Sequence, residues 1–184
     1  SVGTSAPKTE GLGLVSGRAK YTDDFTADGL LYGRILRSPH AHARIVAIDA
    51  SRALALDGVH AVLTHRDVPR VPFTTAGQNH PEPSPFDTVM LDRKVRFVGD
   101  RVAAVAAESP ALAKKACDLI AVEYEELPAV LDPEEAMDTS SPAIHDEDDA
   151  TGIADASRNL AAHLEMNVGN VERGFENADR VFEH

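Results

Sequence analysis

The stretch from Val102 to Glu126 constrains this chain more than any other part of it. Val102 to Ala107 is an apolar run of strand length. Ser109 and Pro110 then supply an N-cap and a first helical residue, a position where proline's missing N–H is no loss. Leu112, Ala116, Leu119 and Ile120 recur at helical spacing and share one face. Val122 to Glu125 returns as a strand, so a strand, a capped helix and a strand follow one another with almost no loop.

The same order is written upstream. Leu30 to Leu36 and His42 to Ile48 read as strands, Asp49 as the N-cap of a short helix carrying Ala53, Leu54 and Leu56, and Gly58 as its stop. Val59 to Leu63 follows as a strand. Val95 to Val98 is expected to pair with Val102 to Ala107 across a Gly99-Asp100 hairpin turn. The chain therefore spells β-β-α-β twice, an α+β pattern. Between the halves, Pro69, Pro72, Pro81, Pro83 and Pro85 remove ladder donors, so residues 66–88 are expected to form a long irregular loop, with Gly77 to Pro85 as a contact surface.

The flanks differ in character. Residues 1–16 are rich in Gly, Ser and Thr and read as a mobile lead-in. Gly11, Gly13 and Gly17 are spaced one residue too widely for a dinucleotide loop, and no strand precedes them, which favours a flexible turn. Asp132-Pro133-Glu134-Glu135 opens a short helix with its charges at the favourable end of the dipole. Beyond Met137 the charge changes: residues 138–184 hold 11 of the 30 acids and 3 of the 18 bases. Thr139 to Pro142 and Asp146 to Asp149 read there as a solvated linker, Asn170 to Ala178 as a helix, and Arg180 to His184 as a strand that stops midway, as in a piece of a longer polypeptide. The expected organisation is a lead-in (1–16), one domain (17–137), and an extended acidic linker that begins a further domain (138–184).

Composition excludes several classes. A formal charge of −12 opposes general affinity for nucleic acid or anionic lipid. No apolar run approaches the roughly 20 residues of a membrane helix, and no basic-then-apolar leader opens the sequence, so a cytoplasmic protein is expected. One cysteine, Cys117, provides neither an intrachain disulfide nor a multi-cysteine metal site.

Four phrases carry a resemblance: Gly17-Arg-Ala-Lys-Tyr-Thr-Asp-Asp24, Ser38-Pro-His-Ala-His-Ala-Arg-Ile45, Val98-Gly-Asp-Arg-Val-Ala-Ala-Val-Ala-Ala107 and Glu123-Tyr-Glu-Glu-Leu-Pro128. In this order and spacing the chain resembles the N-terminal α/β-hammerhead domain of the molybdenum-binding subunit of the xanthine dehydrogenase and aldehyde oxidase family. The resemblance implies a parent enzyme that hydroxylates an aldehyde, a purine, another heterocycle or a thioester with oxygen from water. It also implies molybdopterin in later domains of the same subunit, and iron-sulfur clusters and FAD in partner domains or subunits. It leaves this chain without catalytic, cofactor-binding or metal-binding residues, a structural domain supporting the cofactor domains and subunit contacts, with a second copy as a further partner. A free-standing, non-catalytic interaction module is the alternative.

The residues themselves offer few chemical candidates. His40 and His42, two apart, would share a face on an extended strand, but no third metal ligand is near them in sequence; hydrogen-bonding histidines at a turn or interface are the simpler reading. Cys117, midway along its helix, reads as a buried inert thiol. Glu123, Glu125 and Glu126 lack the enclosure that would separate carboxylate pKa values, and Asp146 to Asp149 read as a solvated run. Lys94, flanked by Arg93 and Val95, does not fit a biotinyl or lipoyl hairpin. No nucleophile elbow or His-Glu-x-x-His pair is present.

Overall fold

The computed structural model describes residues 2–75, 85–166 and 168–183. Most of the expected loop surface, Gly77 to Pro85, lies outside the described residues. The elements in chain order are α1 (Gly11–Val15), β1 (Tyr32–Arg37), β2 (Ala43–Asp49), α2 (Ser51–Leu54), β3 (Val59–Leu63), β4 (Lys94–Val95), β5 (Arg101–Ala107), α3 (Pro110–Leu119), β6 (Ala121–Glu126), α4 (Pro133–Ala136) and α5 (Val171–Glu176). The strands form two open three-stranded sheets, ordered β1-β5-β3 and β4-β2-β6. The protein is thus a mixed α/β chain, and it divides into two compact units.

One unit is drawn from Ser1–Leu36, Ala47–Leu63 and Ala103–Val122. Its core is small-residue-rich: Ala53, Ala103, Val105, Ala107, Ala113, Ala116, Cys117 and Ile120 are buried together, with Leu36, Ile48, Leu112 and Leu119 packed around them. Alternation along β5 turns Ala103, Val105 and Ala107 inward, and burying a side chain such as Val105 stabilises by about 1.5–3 kcal/mol. The expected cap of α3 forms, with the Leu112 N–H donating to Ser109 Oγ at 3.2 Å. β3 and β5 pair antiparallel from Val59↔Ala107 to Leu63↔Ala104, with one register shift between Val59 and Ala61. Gly58 enters β3 at φ +83, where an added Cβ would stand 2.9 Å from Leu112 Cδ2, so glycine is required twice over. Gly11–Val15, expected as a flexible turn, forms one helical turn instead.

The other unit is drawn from Arg37–Val46, Thr64–Val102 and Glu123–His184. β2 pairs antiparallel with β4 through Ala43↔Val95 and Arg44↔Lys94. Ala43, Ile45, Val89, Leu91, Val95 and Val102 are its buried apolar residues. On the described flanks of the proline-rich stretch, isolated bridges join Phe73 to Thr88 and Phe86 to Thr151. α4 starts as expected from Asp132, whose Oδ1 accepts from the N–H groups of Glu134 and Glu135.

Three expectations fail here. β4 and β5 belong to different sheets, so no hairpin joins them. Gly99, at φ +94, does make a turn, but its backbone is claimed by another segment: the Gly99 N–H donates to Ser38 O at 2.8 Å and the Ser38 N–H to Asp100 O at 2.8 Å. Residues 180–183 form no strand, since nothing among the described residues pairs with their backbone. The part of the segment from Met137 to Leu160 is not a run of solvated linker, because several of its polar residues are bound locally, whereas the described residues from 161 to 183 are all exposed. Asn159, the one described non-glycine residue at positive φ (52°), accepts from the Ile144 N–H at 2.8 Å and donates to Ala136 O at 2.9 Å and Pro142 O at 3.2 Å.

Candidate functional site

The most organised polar region lies in the second unit, where the acidic stretch from His145 to Asp149 meets bases on and around β2 and β4. Arg96 Nη2 is 2.8 Å from Glu147 Oε2 and its Nη1 is 2.8 Å from Asp92 Oδ2, with all three side chains nearly buried. Arg70 bridges Asp92 and Asp149, each at 2.6 Å. Lys94, also nearly buried, reaches Asp146 at 2.5 Å, and Arg44 approaches the same carboxylate at 3.4 Å. His145 Nδ1 lies 2.6 Å from Glu147. The expectation of a solvated acidic run therefore fails for Asp146, Glu147 and Asp149, which meet bases brought from elsewhere in the chain, while Asp148 stays exposed as expected.

The electrostatics follow from this geometry. Burial pushes the Glu147 carboxyl up, but hydrogen bonds from His145 and Arg96 outweigh it and hold it far below the usual carboxylate range. The hydrogen bond from Lys94 lowers Asp146, and that from Arg70 lowers Asp149. Arg96 loses to burial and gains more from Glu147 and Asp92, so its guanidinium stays charged. Arg44, Arg70, Lys94 and Arg96 thus meet Asp92, Asp146, Glu147 and Asp149, four bases against four acids. Such an arrangement fixes chain segments against one another within this unit.

The two histidines diverge. They sit in the bend before β2, which starts at Ala43, so the strand geometry that would have aligned them does not apply. His42 is buried, with Nδ1 2.7 Å from Pro128 O; that contact requires Nδ1–H to donate and leaves Nε2 as an acceptor. His40 packs its ring 4.7 Å from that of Tyr124 and places Nδ1 3.5 Å from Glu126. Ser38, buried beneath them, binds the backbone of His40 through its hydroxyl. Burial pushes the Tyr124 phenol up, partly offset by its hydrogen bond with Ser38. The histidine phrase is therefore a folded turn. Its counterpart is the Gly99-Asp100 turn, where the Asp100 carboxylate accepts from the N–H groups of Arg96 and Arg101. Ser38 and the Gly99-Asp100 turn, from two phrases far apart in sequence, are thus two sides of one backbone clamp.

The remaining candidates are equally structural. Cys117 is buried, its thiol 3.9 Å from Arg34 O and pushed up by burial, the opposite of a nucleophile's environment. Lys94, committed to Asp146, presents no amine for acylation. Glu123 and Glu125 stay exposed on β6, and of the three Glu126 is the one that finds a histidine. No group of three His, Cys, Asp or Glu side chains gathers to hold a metal among the described residues, and no described helix is long and apolar enough to cross a membrane. Sequence reasoning missed Asn159 and the pairing of the acidic stretch with β2 and β4; one signal was available, since Lys94 and Arg96 lie on or beside a short strand that must be buried on at least one face.

Comparison with known proteins agrees with this geometry. The family described as aldehyde oxidase and xanthine dehydrogenase, a/b hammerhead domain, matches residues 16–128. The Escherichia coli O157:H7 protein named "Probable hypoxanthine oxidase XdhD" is 39% identical over 99% of this chain and 22% of its own length. The nicotinate dehydrogenase large molybdopterin subunit of Eubacterium barkeri is 37% identical over 99% of this chain and 39% of its own length. Among solved structures, a Cu,Mo-CO dehydrogenase matches 84% of this chain and 19% of its own with a TM-score of 0.69 at 35% identity. Quinoline 2-oxidoreductase from Pseudomonas putida 86 matches 76% of this chain with a TM-score of 0.65 at 40% identity. The chain thus spans well under half the length of these relatives, and it belongs to the aldehyde oxidase and xanthine dehydrogenase family, whose a/b hammerhead domain it carries.

Proposed function

We propose that these residues are a structural domain of the large subunit of a molybdenum hydroxylase, an oxidoreductase acting on a heterocycle or aldehyde, and that they support its cofactor domains and subunit contacts. The domain would occupy residues 17–137, with 138–184 leading into the next domain, in a cytoplasmic enzyme whose iron-sulfur clusters and FAD lie in partner domains or subunits. The observation that carries this reading is the match of more than half the chain to the hammerhead family, together with relatives named as molybdenum or molybdopterin subunits.

The salt-bridged cluster is a poor seat for the cofactor itself. Molybdopterin is anionic through its phosphate and needs uncommitted cations, yet Arg44, Arg70, Lys94 and Arg96 each already face a carboxylate, which leaves exposed Arg93 as the base at that cluster without an ion pair among the described residues. A recess of about 110 Å³ among them is lined by Asp92, Asp146 and Glu147 as well. We accordingly propose that cofactor binding falls to the domains beyond these residues.

The test is to express the complete polypeptide that contains these residues, measure its molybdenum by mass spectrometry and its pterin by fluorescence after oxidation, and assay dye reduction with hypoxanthine, nicotinate and an aldehyde. Near-stoichiometric molybdenum with turnover of one of these classes is expected, and residues 1–184 alone should bind neither molybdenum, iron nor flavin. A complete polypeptide devoid of molybdenum and pterin would overturn the reading.

A further inference from the structure

In the second unit, a recess of about 330 Å³ is lined by Ala41, His42, Arg96, Phe97, Val98 and Leu131, among others. Its rim is apolar and open: Phe97, Val98 and Leu131 are 56%, 65% and 86% exposed. Its deeper wall is polar and buried. His42, 5% exposed, has committed its Nδ1–H to Pro128 O and keeps an Nε2 lone pair that meets no donor. Arg96, whose two terminal nitrogens are ion-paired, keeps an Nε–H that meets no acceptor. Leaving a buried polar group unpaired costs about 1–3 kcal/mol, so two such atoms, closed to water on residues that line one recess, mark a place where the chain by itself is incomplete.

An acceptor lacking a donor and a donor lacking an acceptor are the complement of the N–H and C=O of an extended peptide. An apolar rim above them is what that peptide's side chains would cover. Resting on the reading of the preceding subsection, we propose that this recess seats an extended, aliphatic-bearing segment of the remainder of the same large-subunit polypeptide. Neither atom is open to water, so the segment reaches them only as the side chains around them shift, while Phe97, Val98 and Leu131 are exposed for its apolar side chains to cover.

The choice of occupant follows from length and area. This chain accounts for 22% of the related Escherichia coli polypeptides, so most of each lies outside the matched part. A tethered segment acts at millimolar effective concentration, whereas a separate molecule needs roughly 800 Å² per partner for a stable interface, far more than three rim side chains offer.

The test places benzophenone-alanine at position 98 or 131, one at a time, in the complete polypeptide, and identifies the cross-links by mass spectrometry after illumination. Both positions should join one and the same segment beyond residue 184 of the same chain. A cross-link to a second copy, detected by mixing isotopically labelled and unlabelled protein, overturns the proposal, as does one to a different subunit or only to residues within 2–183. Hydroxyl-radical footprinting of the unsubstituted protein gives a second readout: Leu131 should be protected in the folded state relative to the urea-unfolded one, and equal oxidation counts against the proposal. Molybdenum content of the same sample separates the two failures, since a loaded protein with cross-links elsewhere sinks this inference alone, while a protein without molybdenum removes the reading beneath it.

Discussion

Replacing Glu147 with glutamine tests whether the acidic stretch is structural. The side chain is 13% exposed and its partner Arg96 12% exposed, so the substitution leaves a nearly buried guanidinium with one carboxylate in place of two. Removing one partner of a buried pair costs about 3–5 kcal/mol; because Arg96 retains Asp92 at 2.8 Å, the lower end, about 3 kcal/mol, is expected. With a urea m-value of about 2 kcal/mol/M this moves the unfolding midpoint down by about 1.5 M. Asp118→Asn is the matched control. Its pair with Lys114 is exposed at 61% and 59%, so its loss should cost no more than about 0.5 kcal/mol.

A double variant sharpens the result. Arg96→Met with Glu147→Leu removes both charges, and Asp92 keeps Arg70 at 2.6 Å, so no buried charge is left alone. Its stability should return to within about 1 kcal/mol of the parent. The acid dependence has a definite sign: the Glu147 carboxyl is depressed in the folded state, so its contribution is fully present above the ordinary carboxylate pKa and is lost as pH falls through the folded value. The difference between parent and Glu147→Gln should therefore be largest near neutral pH and shrink in acid. A Glu147→Gln variant that unfolds with the parent's midpoint at neutral pH would refute the argument and restore the picture of a solvated run.

Gly58→Ala should destabilise by at least about 1–2 kcal/mol in urea unfolding, since alanine meets both the positive φ and the Leu112 side chain; parent-like stability would mean the turn rearranges. Asn159→Ala removes three hydrogen bonds of about 1 kcal/mol each, and Asn159→Gly, which keeps the left-handed backbone but not the bonds, should recover only a minor part of the loss. Ser109→Ala should cost about 1 kcal/mol, read as faster amide exchange in the first turn of α3. Cys117 should react with a maleimide only at the rate of global unfolding, and fast native labelling would contradict its burial.

The sequence announced what local chemistry controls. The Ser109-Pro110 cap, the inward face of α3, the Gly58 turn and the strand Val59–Leu63 appear where periodicity and capping put them, because each depends on residues a few positions apart. Gly99-Asp100 shows the limit of that logic. The dipeptide does turn the chain, but a turn becomes a hairpin only if the two flanking strands are each other's best partners. Here Ser38 takes the Gly99 N–H and offers its own N–H to Asp100, and β4 finds β2. Nothing within a window around residue 99 encodes a competitor sixty residues away.

The acidic stretch fails as a linker for a related reason. A run such as Asp146 to Asp149 looks solvated because each charge is considered alone, and an unpaired charge is too costly to bury. That cost, however, falls on bases as well as acids. Lys94 sits on a strand between Arg93 and Val95, and the Ala43↔Val95 pairing that buries Val95 draws Lys94 down with it, to 4% exposure. A lysine in that position demands a carboxylate, and Arg96, two residues on, demands another. The composition was already suggestive: with acids exceeding bases by 12 in the whole chain, the carboxylates needed to satisfy buried bases were most abundant in the segment that carries the largest acidic excess. An acidic segment that follows a basic strand is therefore better read as a counter-charge than as a spacer whenever the strand's own pattern forces its bases under cover.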